Sequence, residues 1–312
     1  MKTKITIGTR SSKLALWQTN YIKEELKKFY PNLEISLKEI KTKGDHITDI
    51  ALSKIGGKGL FTKEIEDALL NGEIDLAVHS LKDLPTRLPD GLKIGAVLKR
   101  EEPNDILISR NKNVFKKLPP NSKIGTSSLR RTSQLKALRQ DLEYLDLRGN
   151  LDTRIRKLED GEYDAIVLAY AGVKRLGFEE KITEHFSPFD ILPAVGQGAL
   201  AIEIRENNLE IEKIISKLNH RETHLISICE RTFLETLQGG CQVPIGAYSE
   251  IKENKITLQG IIASLDGKRI VKDKATGDLE VNSCRNIGIN LGKTLLQMGG
   301  KEILKEIIET HR

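Results

Sequence analysis

Residues 7–12, Ile-Gly-Thr-Arg-Ser-Ser, and residues 124–128, Ile-Gly-Thr-Ser-Ser, are near-copies of each other. Each lies between a short strand pattern and an amphipathic helix pattern. A second pair of similar stretches follows in the same order, Gly-Glu-Ile-Asp-Leu-Ala-Val at 72–78 and Gly-Glu-Tyr-Asp-Ala-Ile-Val at 161–167. Chance could supply either match alone, but the shared order makes chance the weaker explanation. The sequence therefore predicts two domains built on one plan.

Strand and helix patterns alternate around these stretches through the first two-thirds of the chain. Strands are predicted at 4–9, 33–40, 74–79, 92–98, 105–109, 123–125, 143–147, 163–169 and 199–204. Helices are predicted at 12–29, 61–71, 128–139, 151–160 and 207–218. Such alternation is typical of α/β layers with mostly parallel strand pairing.

The expected fold is α/β, with two similar binding-protein-like lobes and a ligand cleft between them. Pro and Gly punctuate residues 100–104 and 192–198, which we interpret as two crossings that form a paired hinge. From about residue 220 a helix and hairpin-like strands indicate a smaller α+β domain with an antiparallel sheet. The predicted domains are a first lobe, a second lobe and a C-terminal domain, at residues 1–99 with 199–217, 104–192 and 221–312.

The composition limits the classes of protein and of partner. The chain has 50 Lys+Arg against 44 Asp+Glu, a net charge of +6, which suits an anionic partner. Only 4% of residues are aromatic and basic runs are lacking, which disfavours nucleic acid. No apolar stretch approaches the ~20 residues of a membrane span, and no export signal is evident, so we expect a cytoplasmic protein. Cys229, Cys241 and Cys284 have neither disulfide-framework nor zinc-ligand spacing, and no metal site is expected.

Cationic and hydroxyl side chains follow several predicted strands, at the ends where open α/β sheets bind ligands. They are Arg10, Ser11 and Ser12, then Thr126, Ser127, Ser128, Arg130 and Arg131, then Arg148 and Arg154. Ser and Thr cap helices whose N-termini favour anions, and arginine binds carboxylate or phosphate through two parallel hydrogen bonds. Each residue alone fits ordinary capping or a solvated surface. Their repetition at strand ends predicts a site for a polyanion.

Asp83 follows the strand predicted at 74–79, within His-Ser-Leu-Lys-Asp. Neighbouring cations would keep its carboxylate ionised, so that it could stabilise a cationic intermediate or move protons. The alternative is a turn aspartate paired with Lys82. His79, at the end of the same strand, is interpreted as structural.

Two loops carry further candidate residues. Lys58 is followed by Gly59, which does not fit a P-loop, and the polar stretch 42–58 is expected to be a mobile lid. Cys241 lies in Gly-Gly-Cys-Gln-Val-Pro-Ile-Gly at 239–246, after a helix predicted at 225–237. A thiol on a turn after a helix is accessible, although a small residue in a tight loop is the plainer interpretation of Cys241 alone.

Together these motifs resemble those of the porphobilinogen deaminases, also called hydroxymethylbilane synthases. The likeness runs through residues 7–17, 54–61, 77–85, 125–131, 147–150, 161–177, 192–199 and 239–246. It implies a transferase of tetrapyrrole biosynthesis that condenses four porphobilinogen molecules, with loss of ammonia, into linear hydroxymethylbilane. It further implies a dipyrromethane primer on Cys241 through a thioether, and an Asp83 carboxylate that stabilises the azafulvenium cation formed when ammonia leaves.

The resemblance also implies which residues hold the ligands, and it favours a monomer. The primer would be bound by Lys82, Asp83, Thr126, Ser127, Ser128, Arg130, Arg131 and Arg148. Substrate and growing chain would be bound by Arg10, Ser12, Lys58, Ser80, Arg148, Arg154, Arg175 and Gln197. A solute-binding protein of the same lobed plan would need an export signal and no exposed cysteine. A basic nucleic-acid-binding protein would need stacking aromatics, so the sequence favours the deaminase over both.

Overall fold

The chain is described from a computed structural model, which covers residues 2–46, 59–239 and 243–310. Its strands are β1 Lys4–Thr9, β2 Glu34–Glu39, β3 Leu76–Ser80, β4 Leu92–Val97, β5 Asp105–Ser109, β6 Lys123–Gly125, β7 Glu143–Leu145, β8 Ala165–Ala169, β9 Glu184–His185, β10 Leu200–Arg205, β11 Ile245–Lys252, β12 Lys255–Ala263 and β13 Ile270–Asp278. Its helices are α1 Lys13–Phe29, α2 Lys43–His46, α3 Lys63–Leu70, α4 Leu129–Leu138, α5 Leu151–Glu159, α6 Tyr170–Arg175, α7 Leu209–Ile215, α8 Arg221–Thr236, α9 Val281–Leu295 and α10 Lys301–Thr310.

The described residues divide into two compact units. The first unit contains residues 2–46, 59–101 and 198–224, and the second contains 102–197, 225–239 and 243–310. The chain leaves the first unit after Glu101 and returns to it at Gly198. It passes to the second unit again inside α8. The division into three domains with the boundaries given above stays a prediction.

The first unit is built on a five-stranded sheet in the order β2-β1-β3-β10-β4. β1 pairs in parallel with β2 and β3, whereas β10 is antiparallel to both of its neighbours. α1 packs on this sheet through Ile22 and Leu26, which are four residues apart and fully buried. Ser12 begins the helix, because its Oγ accepts a hydrogen bond from the Ala15 amide at 3.3 Å.

The second unit repeats this plan in the order β7-β6-β8-β5-β9. β6 pairs in parallel with β7 and β8, as β1 does with β2 and β3, and β5 is antiparallel to β8 and β9. The prediction of two similar α/β lobes is therefore confirmed.

The expectation of mostly parallel pairing is wrong, because only half of the strand pairs in each of these two sheets are parallel. β5 and β10 are the strands that the chain enters just after each crossing. Leu200, the first residue of β10, pairs with Ser80, the last of β3. A strand that enters at the carboxyl edge of a sheet must run against its parallel neighbours.

The two crossing segments are hydrogen-bonded to each other, which confirms that they are paired. The Glu101 amide donates to the Gly198 carbonyl at 3.2 Å. Gly198 has φ +90°, and a Cβ there would lie 2.3 Å from the Glu101 carbonyl oxygen. The close pairing therefore requires glycine at this position.

The second unit also contains a three-stranded antiparallel sheet in the order β11-β12-β13. Its core includes Phe233 of α8, Leu258 and Ile262 of β12, and Leu291 of α9. β13 has no buried residue, so one edge of this small sheet stays open to solvent. The prediction of a C-terminal α+β region with an antiparallel sheet is confirmed. Within the described ranges, no helix combines the length and the apolar character that crossing a membrane requires.

Candidate active site

A pocket in the first unit lies where β1 and β3 end. It brings together four residues expected at the site, Arg10, Ser12, Ser80 and Asp83, and its wall includes His79. The space that it encloses is about 450 Å³ when its open mouth is included. Parallel strands place their carboxyl ends at one edge, which is why residues distant in sequence meet here.

Neighbouring side chains fix the cation and the hydroxyls of this pocket. The Arg10 guanidinium carbon lies 4.4 Å from the centre of the Phe61 ring, a cation–π contact. Ser80 Oγ accepts a hydrogen bond from Gln18 Nε2 at 2.8 Å. Ser12 is held at the start of α1 by its capping bond. Arg10 is therefore oriented in a pocket that also presents hydroxyl groups, an arrangement suited to a carboxylate.

Asp83 closes a single 3₁₀ turn, Leu81–Asp83, that follows β3 directly. Leu81 is buried and its amide donates to the Ala199 carbonyl at 3.0 Å, which anchors the turn. Asp83 is exposed, and in the described part of the chain it makes no hydrogen bond or ion pair, with Lys82 or any other residue. An exposed carboxylate on an anchored turn can receive a cationic group from solvent.

The loops after β6 and β7 form a second cluster, in the second unit. Thr126 Oγ1 accepts from the Ser128 amide at 3.3 Å, and Ser128 Oγ caps α4 by accepting from the Arg131 amide at 3.4 Å. Ser127 Oγ donates to the Leu147 carbonyl at 2.9 Å and accepts from the Leu147 amide at 3.0 Å. These hydroxyls fix the shape of the loops and join the two strand ends.

Arg148 contributes a cation to this second cluster. Its Nε and Nη2 are buried and have no hydrogen-bond partner among the described residues. Arg154 Nε donates to the Gly149 carbonyl at 2.8 Å, and Arg175 lies in the last turn of α6, after β8. Buried donors without acceptors are costly, so Arg148 favours an incoming anion. The carboxylate arms of a dipyrromethane are acceptors of this kind, and the donors present fit them.

Arg130, Arg131 and Gln197 are brought together around the fully buried carboxylate of Asp105. Asp105 accepts from Arg130 Nη1 at 2.7 Å, from Arg131 Nε and Nη2 at 3.0 and 2.8 Å, and from Gln197 Nε2 at 2.9 Å. Burial raises the pKa of Asp105, but the charges and hydrogen bonds of the two arginines outweigh it and hold the pKa well below its usual range. Burial lowers the pKa of Arg130.

Asp105 was not identified as a site residue from the sequence, although its position in an apolar strand indicates a special role. A carboxylate in the otherwise apolar strand Asp-Ile-Leu-Ile-Ser needs a buried counter-charge, and two arginines provide it. Glu203, in the apolar strand β10, was missed in the same way. Two other expected site residues, Cys241 and Lys58, lie outside the described residues.

Comparisons with known proteins agree over almost the whole chain. The family model "Porphobilinogen deaminase, dipyromethane cofactor binding domain" matches residues 5–213, and "Porphobilinogen deaminase, C-terminal domain" matches residues 224–297. The porphobilinogen deaminase of Carboxydothermus hydrogenoformans is 54% identical over 308 residues, covering 98% of each chain. That of Chloroherpeton thalassium is 52% identical over 309 residues, again covering 98% of each.

A solved structure, an ancestral arginine-binding protein bound to arginine, aligns with 70% of this chain and 91% of its own at 14% identity and a TM-score of 0.39. The two family models and the two relatives extend from the first strand to the C-terminal helices. This chain belongs to the porphobilinogen deaminase family.

Proposed function

We propose that Asp83 is the catalytic carboxylate of this enzyme, and that the two clusters of basic and hydroxyl side chains bind the carboxylate arms of the pyrroles. The enzyme is a transferase, a hydroxymethylbilane synthase that acts on porphobilinogen and carries a dipyrromethane cofactor. It joins four porphobilinogen molecules head to tail, with loss of ammonia, and releases the linear tetrapyrrole. The assignment of residues to steps is the proposal.

The exposure of Asp83 in the pocket, with no partner in the described chain, is the observation that carries this assignment. Loss of ammonia from the aminomethyl group leaves a positive charge spread over the pyrrole ring. A fixed carboxylate that is not already paired stabilises such a charge more than one whose charge is neutralised.

Each porphobilinogen brings an acetate and a propionate, so the growing chain gains two negative charges at every addition. We propose that Arg10, Ser12 and Ser80 bind these arms in the first unit, together with Lys58. In the second unit the same role falls to Arg148, Arg154, Arg175 and Gln197. Arg148 is the strongest candidate, because its buried Nε and Nη2 have no acceptor in the described structure.

The dipyrromethane supplies the pyrrole acceptor on which the chain grows. We propose that Cys241 holds it through a thioether, and that its arms are bound by Lys82, Thr126, Ser127, Ser128, Arg130, Arg131 and Arg148, with Asp83 facing its ring N–H groups. A thiolate is a strong nucleophile toward an electrophilic methylene carbon. Asp105 accepts hydrogen bonds from Arg130 and Arg131, which fixes both guanidinium groups at the start of α4.

The intact mass of the protein, measured under reducing conditions and followed by peptide mapping, tests this proposal. We expect a reduction-resistant increment of two linked pyrroles on the peptide that contains Cys241, and none in Cys241→Ser. Cys229→Ser is the matched control, because Cys229 is buried and burial raises its thiol pKa, so it should keep the increment. A full-length Cys241→Ser protein that retains covalent pyrroles refutes the assignment.

We further propose that the enzyme works as a monomer in the cytoplasm, without nucleic-acid or membrane partners. The support is indirect: few aromatic residues, no basic runs, and three cysteines without a disulfide pattern. Sedimentation at several protein concentrations tests the first point, since a monomer gives the mass of a single chain at every concentration.

A further inference from the structure

A buried polar cluster lies directly behind the pocket of the first unit. It consists of Thr62, Glu66, His79 and Glu203, and each is at most 6% exposed. Thr62 and His79 also form part of the pocket wall, so the cluster adjoins the pocket. We call these four residues the Glu66 cluster.

The sheet and one helix bring the cluster together. On antiparallel β3 and β10, Glu203 pairs with Ala77, two residues before His79, so Glu203 and His79 point to the same face. α3 packs on both strands and places Glu66 over that face. His79 Nε2 and Glu203 Oε2 are 3.0 Å apart.

Two carboxylate oxygens of the Glu66 cluster have no partner among the described residues. Glu66 Oε1 and Glu203 Oε1 are buried and accept no hydrogen bond there, whereas Thr62 hydrogen-bonds Glu66 and Glu203 Oε2 pairs with His79 Nε2. Thr62 precedes α3, yet its hydroxyl does not cap that helix. Unsatisfied buried acceptors are rare, and two in one cluster indicate a binding site for a small ligand that carries N–H or O–H groups.

The charges of the cluster are suited to a cationic ligand. Two carboxylates face one imidazole, so even with His79 protonated one buried negative charge is unbalanced, which is costly. Burial raises the pKa of Glu66, and Glu203 and Asp67 raise it further, whereas Thr62 and His79 lower it. An additional proton on Glu66 balances the cluster when it is empty, and a monovalent cation balances it when that proton has left. Among the described residues no group of three or more side chains is placed to hold a metal ion.

We propose that the Glu66 cluster captures the ammonia that leaves porphobilinogen and holds it as ammonium. This inference rests on the proposed function of the pocket. The aminomethyl group reacts in its protonated form, –CH₂–NH₃⁺: its C–N bond breaks, the electron pair leaves with nitrogen, and neutral ammonia departs and leaves the cation on the pyrrole. The ammonia lone pair takes the Glu66 proton, giving ammonium beside two carboxylates. The proton that the ring carbon loses when the new C–C bond forms restores Glu66, so the cycle balances.

Capture as ammonium serves the reaction in two ways. Ammonium has no lone pair, so it cannot add back to the cation that Asp83 stabilises. Its four N–H groups match the acceptor atoms of Thr62, Glu66 and Glu203.

Ammonium binding is tested on the holoenzyme by unfolding it in ammonium chloride and, at equal ionic strength, in tetramethylammonium chloride or potassium chloride. Ligand at ten times its Kd lowers the unfolding equilibrium constant about elevenfold. We expect a saturable stabilisation specific to ammonium, lost in Glu66→Gln and Glu203→Gln and retained in Glu212→Gln, whose half-buried carboxylate lies on α7 and pairs with Lys93. Thr62→Val, which keeps all charges, should weaken it. An equal response to the three salts, or the same response in all variants, overturns the proposal.

Single-turnover release of ammonia gives an independent measurement. Glu66→Gln should slow release and make it more sensitive to added ammonium, because returned ammonia is no longer trapped. If both Gln variants release ammonia at the wild-type rate and form hydroxymethylbilane normally, the capture site is refuted while the proposed function stands. If the wild-type protein forms no hydroxymethylbilane from porphobilinogen, the proposed function itself fails.

Discussion

Asp105→Asn should destabilise the second unit, because Asp105 is the only negative charge in the buried group that it forms with Arg130, Arg131 and Gln197. It accepts four hydrogen bonds of 2.7–3.0 Å there, three of them from guanidinium groups. An asparagine in the same place keeps the Oδ1 acceptor for Arg131 and Gln197. Its amide NH₂, however, replaces the oxygen that Arg130 Nη1 binds, so two donors face each other.

The size of the effect follows from the charges that remain. Removing one partner of a buried ion pair costs about 3–5 kcal/mol, because the other charge stays buried without compensation. That free energy lowers the folding equilibrium constant between about a hundredfold and several thousandfold. With an m-value of about 3 kcal/mol/M in urea, the unfolding midpoint should fall by about 1–1.7 M.

Urea unfolding followed by far-UV circular dichroism and by fluorescence measures the shift. Trp17 is the single tryptophan, and it lies in the first unit, so a dichroism transition that moves further than the fluorescence transition localises the loss to the second unit. Glu159→Gln is the matched control, since it removes an exposed ion pair with Lys181 in the same unit. That pair should contribute less than about 1 kcal/mol.

The pH dependence of stability is a second test of the contribution of the Asp105 charge. The pKa of Asp105 is lowered on folding, so its stabilising contribution is complete above the unfolded-state value of about 4 and declines as the pH falls below it. The stability difference between wild type and Asp105→Asn should therefore be constant from pH 5 to 7 and shrink in more acidic solution. A midpoint within 0.3 M of wild type at pH 7 would refute the reasoning.

Two further variants test the candidate site. Asp83→Asn should lower kcat on the order of 10²–10³-fold. It should leave the unfolding midpoint unchanged, because Asp83 is exposed and unpaired within the described chain. Turnover near that of the wild type would exclude Asp83 from the mechanism. Arg148→Ala should change the distribution of enzyme-bound intermediates seen by intact mass without lowering stability, since Nε and Nη2 have no hydrogen-bond partner among the described residues. A large loss of stability with an unchanged distribution indicates a structural role.

The fold could be predicted from the sequence where it depends on local patterns. β1, β5 and β6 have the bounds that the alternation of apolar residues indicates. β9 was missed because a strand of two residues has no period, and the six-residue α6 is too short for a helical stripe. Antiparallel pairing of the crossing strands depends on where the chain re-enters the sheet, which no local pattern records.

The candidate site was predictable to a similar degree, and for the same reason. Hydroxyls and arginines directly after strands follow a local rule, and Arg10, Ser12, Ser80 and Asp83 do meet in one pocket. The partners of Arg130 and Arg131 could not be predicted, because Asp105 reaches them only through the tertiary fold. Local rules locate a charge at a strand end, but they do not show whether the protein has already neutralised it.

The duplicated lobes show why that distinction matters. The crossing strands β5 and β10 occupy equivalent places in the two sheets, and each carries a fully buried carboxylate, Asp105 and Glu203. Two arginines neutralise Asp105, whereas Glu203 faces His79 and a second carboxylate, Glu66. Removing the charge of Asp105 should therefore cost stability, while Glu203→Gln, which relieves an unbalanced negative charge, should cost little or raise it. A destabilisation by Glu203→Gln as large as that by Asp105→Asn would mean that both carboxylates are structural. The Glu203 carboxylate would then not be available to bind a cationic ligand in the first lobe.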